Sequence, residues 1–135
     1  MPRFKLFKAG FTRGQFVTKS RYVSNKQMQE ELTPKVLDLL PQLNIPADRP
    51  IIFEFFFYAL KVENAKALAK DLENLGYEAV YNTSEGDKKL YLITGSTTPM
   101  VADAETTTKW ASDMVDLGFK HDCDFDGWGT GGEQV

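Results

Sequence analysis

The chain has 135 residues, one cysteine and a formal net charge of −3 from 16 basic and 19 acidic side chains. That length fits a single domain with its own core, and the lone Cys123 excludes an internal disulfide and points to a reducing compartment. The longest apolar stretch, Pro50 to Leu60, is broken by Glu54 and falls short of the ~20 residues of a membrane span. The opening Met1-Pro2-Arg3-Phe4-Lys5-Leu6-Phe7-Lys8 lacks a signal peptide's apolar run, so a soluble, cytoplasmic protein is expected.

Residues 1–25 read as a basic, strand-like arm. Phe4, Leu6, Phe11, Phe16, Val17, Tyr22 and Val23 sit among polar residues, and Gly10 and Gly14 bracket a turn. Up to Lys26 the chain carries seven basic side chains and no acidic one, against nine basic and nineteen acidic side chains in the remainder. Two readings are open: the arm packs on the acidic body, or it contacts a nucleic acid or another partner. The acidic body repels phosphate, which disfavours nucleic acid.

Residues 26–135 read as one α+β domain. Ser24 caps a helix with Gln27 three residues later, and Thr33-Pro34 is a second start, giving one kinked helix or two short ones over 25–43. Ile51 to Tyr58 is the strongest strand. Ile51, Phe53, Phe55 and Phe57 take one face; Ile52, Glu54, Phe56 and Tyr58 take the other. Ala65, Leu68, Ala69, Leu72 and Leu75 form a helical stripe ended by Gly76. Tyr77–Thr83 and Lys88–Thr94 are strands around a Ser84–Asp87 turn. A helix over 103–117 ends at Gly118, and Phe119–Phe125 alternates as the last strand. The order strand, helix, strand, strand, helix, strand is the ferredoxin-like split βαββαβ arrangement, with both helices on one face of an antiparallel sheet. Ile52, Phe56 and Tyr58 then need cover. The arm and first helix, a protein partner or homodimer face, and stacked RNA are the three candidates.

The last segment holds the candidate sites. Asp122, Asp124, Asp126, Gly127 and Glu133 satisfy the spacing of a calcium-binding EF-hand loop. No helix enters or leaves it, so an acidic stripe along a strand is the better reading, either solvated or facing a basic partner. His121 and Cys123 have no further His or Cys to complete a zinc site, and no orienting third group for catalysis. No phosphate loop, nucleophile elbow or zincin helix appears. Hence no catalytic residue, no metal and no cofactor are expected. Trp128, within the glycine-rich Gly127–Gly132, closes the core or serves as a binding hot spot.

Asp124-Phe125-Asp126-Gly127-Trp128-Gly129-Thr130, at the end of such a chain, resembles the ending of the regulator of ribonuclease activity B (RraB) family. Leu75-Gly76-Tyr77-Glu78 also resembles the family's helix-to-strand junction, so the likeness covers roughly residues 35–130. What it implies is a ferredoxin-like, non-enzymatic regulator that binds an endoribonuclease, ribonuclease E, and alters the assembly built around it, without a cofactor. Asp126, Gly127, Trp128 and Gly129 are the positions the resemblance carries over. With Asp122 and Asp124 they make the expected partner-binding set.

Overall fold

Alternating aromatic residues build the centre of the fold. The computed structural model describes residues 15–43 and 49–130. In chain order these form α1 (Lys19–Leu37), a 3-10 turn (Leu40–Leu43), β1 (Pro50–Ile51), β2 (Glu54–Ala59) and α2 (Val62–Asn74). β3 (Glu78–Thr83), β4 (Tyr91–Ser96), β5 (Met100–Val101), α3 (Ala104–Lys120) and β6 (Cys123–Gly129) follow. Phe53, Phe55, Phe57 and Ala59 are fully buried, whereas Ile52, Phe56 and Tyr58 on the other face are half-buried. Period-two alternation thus sets the register, since a one-residue slip would turn Phe53, Phe55 and Phe57 away from the core. Each buried phenylalanine contributes roughly 1.5–3 kcal/mol of transfer free energy. The expected strand is broken at Ile52-Phe53, where Phe53 N–H donates to Thr97 Oγ1 at 3.1 Å and Thr97 N–H donates back to Phe53 O at 2.9 Å. Residues 50–51 pair instead with β5 in a separate two-stranded sheet.

The main sheet has the order β3-β4-β2-β6, with every pair antiparallel. Ala65, Leu68, Ala69 and Leu72 bury one stripe of α2. Gly76 ends that helix with φ +89°, a conformation glycine adopts without steric cost, and Tyr77 N–H returns to Leu72 O at 3.2 Å. In α3, Asp103 caps the Thr106 N–H at 2.7 Å, and Trp110, Ala111, Met114 and Val115 are buried. The fold is mixed α+β, as expected. No helix among the described residues is long and apolar enough to cross a membrane.

Three expectations change and one alternative is decided. Residues 19–25 are helical rather than strand-like, so α1 runs through the 25/26 boundary, and residues 1–14 lie outside those described. The helix cap is Thr18, whose hydroxyl accepts from Arg21 N–H at 3.1 Å, not Ser24. Of the two readings left open for this segment, the structure has the single helix, with Pro34 inside α1 rather than starting a second one. Gly118 does not end α3. A Cβ there would come 2.8 Å from Cys123 O and 2.9 Å from the Phe57 ring, so this glycine permits close helix–sheet packing while the helix continues to Lys120. The left-handed turn falls on Asp122, at φ +57°.

Candidate functional site

The three aspartates of the last segment have three different environments. Asp122 occupies the turn before β6, where its short polar side chain tolerates positive φ. Its carboxylate accepts from Phe16 N–H at 2.8 and 2.9 Å and from Val17 N–H at 2.7 Å. Asp124 is 4% exposed and accepts a forked pair from Arg21, at 3.1 Å from Nε and 3.2 Å from Nη2. Asp126 sits at a bulge, because β6 pairs Phe125 with Phe57 and Gly127 with Phe56, leaving Asp126 as the extra residue. The even acidic stripe expected from alternation is therefore absent. The turn takes Asp122 off the strand, an ion pair buries Asp124, and the bulge changes the phase at Asp126. A helix does enter the segment with EF-hand spacing, because α3 runs to Lys120 where a strand over 119–125 was expected, but no EF-hand loop follows: residues 123–129 are extended, and Glu133 lies outside the described residues. Among the described residues no cluster of three metal-ligating side chains occurs.

The N-terminal helix adds polar residues to this site that apolar periodicity does not mark. Arg21, Asn25, Gln29, Thr33 and Leu37 recur every four residues, and the last four are buried. Asn25 Nδ2 donates to Phe125 O at 2.8 Å, and Trp128 Nε1 donates to Thr33 Oγ1 at 3.3 Å. α1 thus lies along the outer edge of β6 and satisfies strand-edge groups with side chains. A sheet edge left bare is a template for unwanted pairing. The signal was in the sequence as polar residues at i, i+4, i+8 and i+12, a pattern that a search for apolar periodicity passes over.

A neighbouring face of α1 packs on α3. Tyr22 stacks on Phe119 with centroids 4.3 Å apart, and its hydroxyl donates to Asp116. Lys26 Nζ lies 2.9 Å from the same carboxylate. Burial opposes charge on Asp116, but the Tyr22 and Lys26 donors hold its carboxyl below the usual carboxylate range. The hydrogen bond to Asp116 raises both Tyr22 and Lys26 above their ordinary values. Arg21 and Lys26 are thereby engaged by acidic groups of the body, and the described part of the arm packs on that body.

His121 and Cys123 behave as packed residues. His121 Nε2 lies 2.6 Å from Asp71 Oδ2, joining the end of α3 to α2. The His121 contact holds the Asp71 carboxyl below its ordinary value against the opposing effect of burial, with Lys120 assisting. Cys123 is 1% exposed. Burial, then the charges of Asp122 and Asp124, push its thiol far above its usual range, opposite to a reactive cysteine. Trp128 is half-buried, 5.2 Å from Phe53 and 6.4 Å from Trp110 between ring centroids, and closes the aromatic core at the far end of β6. Gly127 carries φ +137° within the bulge.

These contacts define a mixed α+β protein of two antiparallel sheets, in which a bulged last strand is locked to an N-terminal helix. The chain belongs to the regulator of ribonuclease activity B family, whose profile matches residues 30–130. The family is regulatory rather than catalytic. A search of curated proteins finds no match to the sequence.

Proposed function

We propose that this protein is a non-enzymatic, cytoplasmic, protein-binding regulator that inhibits an endoribonuclease of the ribonuclease E type and so slows RNA turnover. Family membership across residues 30–130 is the observation that carries this reading. The strand order β3-β4-β2-β6, built from β2-α2-β3-β4-α3-β6, supports assigning the ferredoxin-like split arrangement.

In this reading the contact surface centres on Asp126, Gly127, Trp128 and Gly129. The bulge re-aims the strand there, and all four residues retain partial exposure. Asp122 and Asp124 serve the surface indirectly. They fasten residues 16–17 and α1 against β6 and so fix the position of the bulge.

The test is cleavage of a defined RNA by the purified endoribonuclease with increasing amounts of this protein, alongside direct binding of the two proteins. The expected result is dose-dependent inhibition with saturable binding, weakened in Asp126→Lys. Unchanged cleavage together with no binding overturns the proposal.

A further inference from the structure

The two edges of the main sheet are treated differently. α1 covers β6, but among the described residues no element pairs with the outer edge of β3. β3 reads Glu-Ala-Val-Tyr-Asn-Thr. It contains no lysine, no proline and no bulge, since its register with β4 is uninterrupted over six pairs. These are the usual devices that keep an edge from pairing. Val80, in the middle of the strand, is 55% exposed.

The edge also has a definite hydrogen-bonding pattern. Ser84 N–H donates to Leu90 O at 2.8 Å, which places Ser84 in a hydrogen-bonded pair. Alternation along an antiparallel ladder then directs the backbone groups of Asn82, Val80 and Glu78 toward β4. Those of Ala79, Tyr81 and Thr83 point outward. This outward set is symmetric about Tyr81.

We infer that β3 pairs antiparallel with β3 of a second copy about a two-fold axis at Tyr81, joining two four-stranded sheets into one. Tyr81 meets Tyr81 of the second copy, Ala79 meets Thr83, Val80 meets Asn82 and Glu78 meets Ser84. No charged residue of the strand faces a like charge. The stripe of α2 above this edge carries Glu63, Lys66, Lys70 and Glu73, two charges of each sign, so the approaching helices meet without net repulsion. Val80, the strand's exposed apolar side chain, becomes covered by its neighbour across the pair. The pairing is independent of the ribonuclease reading, because it uses the edge opposite to β6.

The experiment is sedimentation equilibrium of the full chain over a range of concentrations, with hydrogen exchange at Ala79, Tyr81 and Thr83. The expected result is a reversible dimer with those three amides protected only when it forms. Val80→Lys with Asn82→Lys places lysines opposite one another and weakens self-association by about tenfold or more, about 1.4 kcal/mol. Val80→Glu with Asn82→Glu does the same, and mixing the two variants restores a dimer. Both positions face solvent in one chain, and circular dichroism checks that the variants fold. A single-chain mass at every concentration up to the solubility limit overturns the inference. So does a dimer indifferent to the lysines, or a pair of variants that fail to recombine.

Discussion

Arg21 and Asp124 face each other as a planar fork, with Nε 3.1 Å from Oδ1 and Nη2 3.2 Å from Oδ2, although 103 residues separate them in the chain. The pair fixes the start of α1 to the start of β6. Their side chains are 17% and 5% exposed, so the bond operates largely out of water. Breaking a buried pair by removing one partner typically costs several kcal/mol. Arg21→Ala and Asp124→Ala are each expected to destabilise the fold by about 3 kcal/mol. The double variant should lose clearly less than the sum of the two. Urea denaturation of the four proteins measures this coupling.

Asp122 predicts a local effect. Its carboxylate takes the Phe16 and Val17 amides, and hydrogen bonds to a charged acceptor are among the stronger ones. Asp122→Ala loses both bonds and places a Cβ residue without a compensating side chain at positive φ, costing roughly 2 kcal/mol. Hydrogen exchange should show the amides of residues 16–17 opening first, while those of β2 remain slow.

Gly95→Ala tests the packing of the sheet. A Cβ at this position would lie 1.8 Å from Glu78 O and 2.8 Å from the Phe55 ring. The nearest atom is backbone, so relief requires β3 and β4 to separate. A loss of about 3 kcal/mol or more is expected. A thermal midpoint close to that of the unaltered chain would contradict the described register.

Acid should weaken the fold through Asp71 and Asp116. Both carboxyls are held below their ordinary value in the folded chain. A depressed carboxyl stabilises the fold while the pH stays above the unfolded value, and that contribution fades as the pH falls through the folded one. Urea midpoints should therefore be flat near neutrality with respect to these two groups and drop below about pH 4. Asp71→Asn should flatten part of that acid limb.

The thiol of Cys123 should resist alkylation. It is buried, donates weakly to His121 O at 3.5 Å, and is far from forming a thiolate. Labelling by iodoacetamide in native buffer should proceed at the rate of opening and accelerate sharply in denaturant. Fast native labelling would show that the α3–β6 junction is open.

The parts of this fold that follow from apolar periodicity were legible in advance. Phe53, Phe55 and Phe57 alternate because one sheet face is dry, and Leu68 and Leu72 repeat because one helix face is dry. α1 escaped because three of its four buried positions are polar. Asn25, Gln29 and Thr33 carry no hydrophobic signal, and their burial makes sense only once β6 supplies a strand edge. The same limit hid the fate of the aspartates. A two-residue alternation marks Asp122, Asp124 and Asp126 as equivalent, whereas a left-handed turn and a bulge give each a separate role. Gly76 and Gly118 each follow a helical pattern, yet of these two only Gly76 turns the chain, because Gly118 is needed to let Phe57 approach.

The contacts that tie α1 to β6 are polar and buried, while another face of α1 stacks Tyr22 on Phe119. An ion pair as little exposed as Arg21–Asp124 is weakly screened, so concentrated salt should leave this fastening closed. Loss of the Arg21 fork, rather than ionic strength, is then what unclasps β6 and leaves its edge free to recruit a strand from a neighbouring molecule.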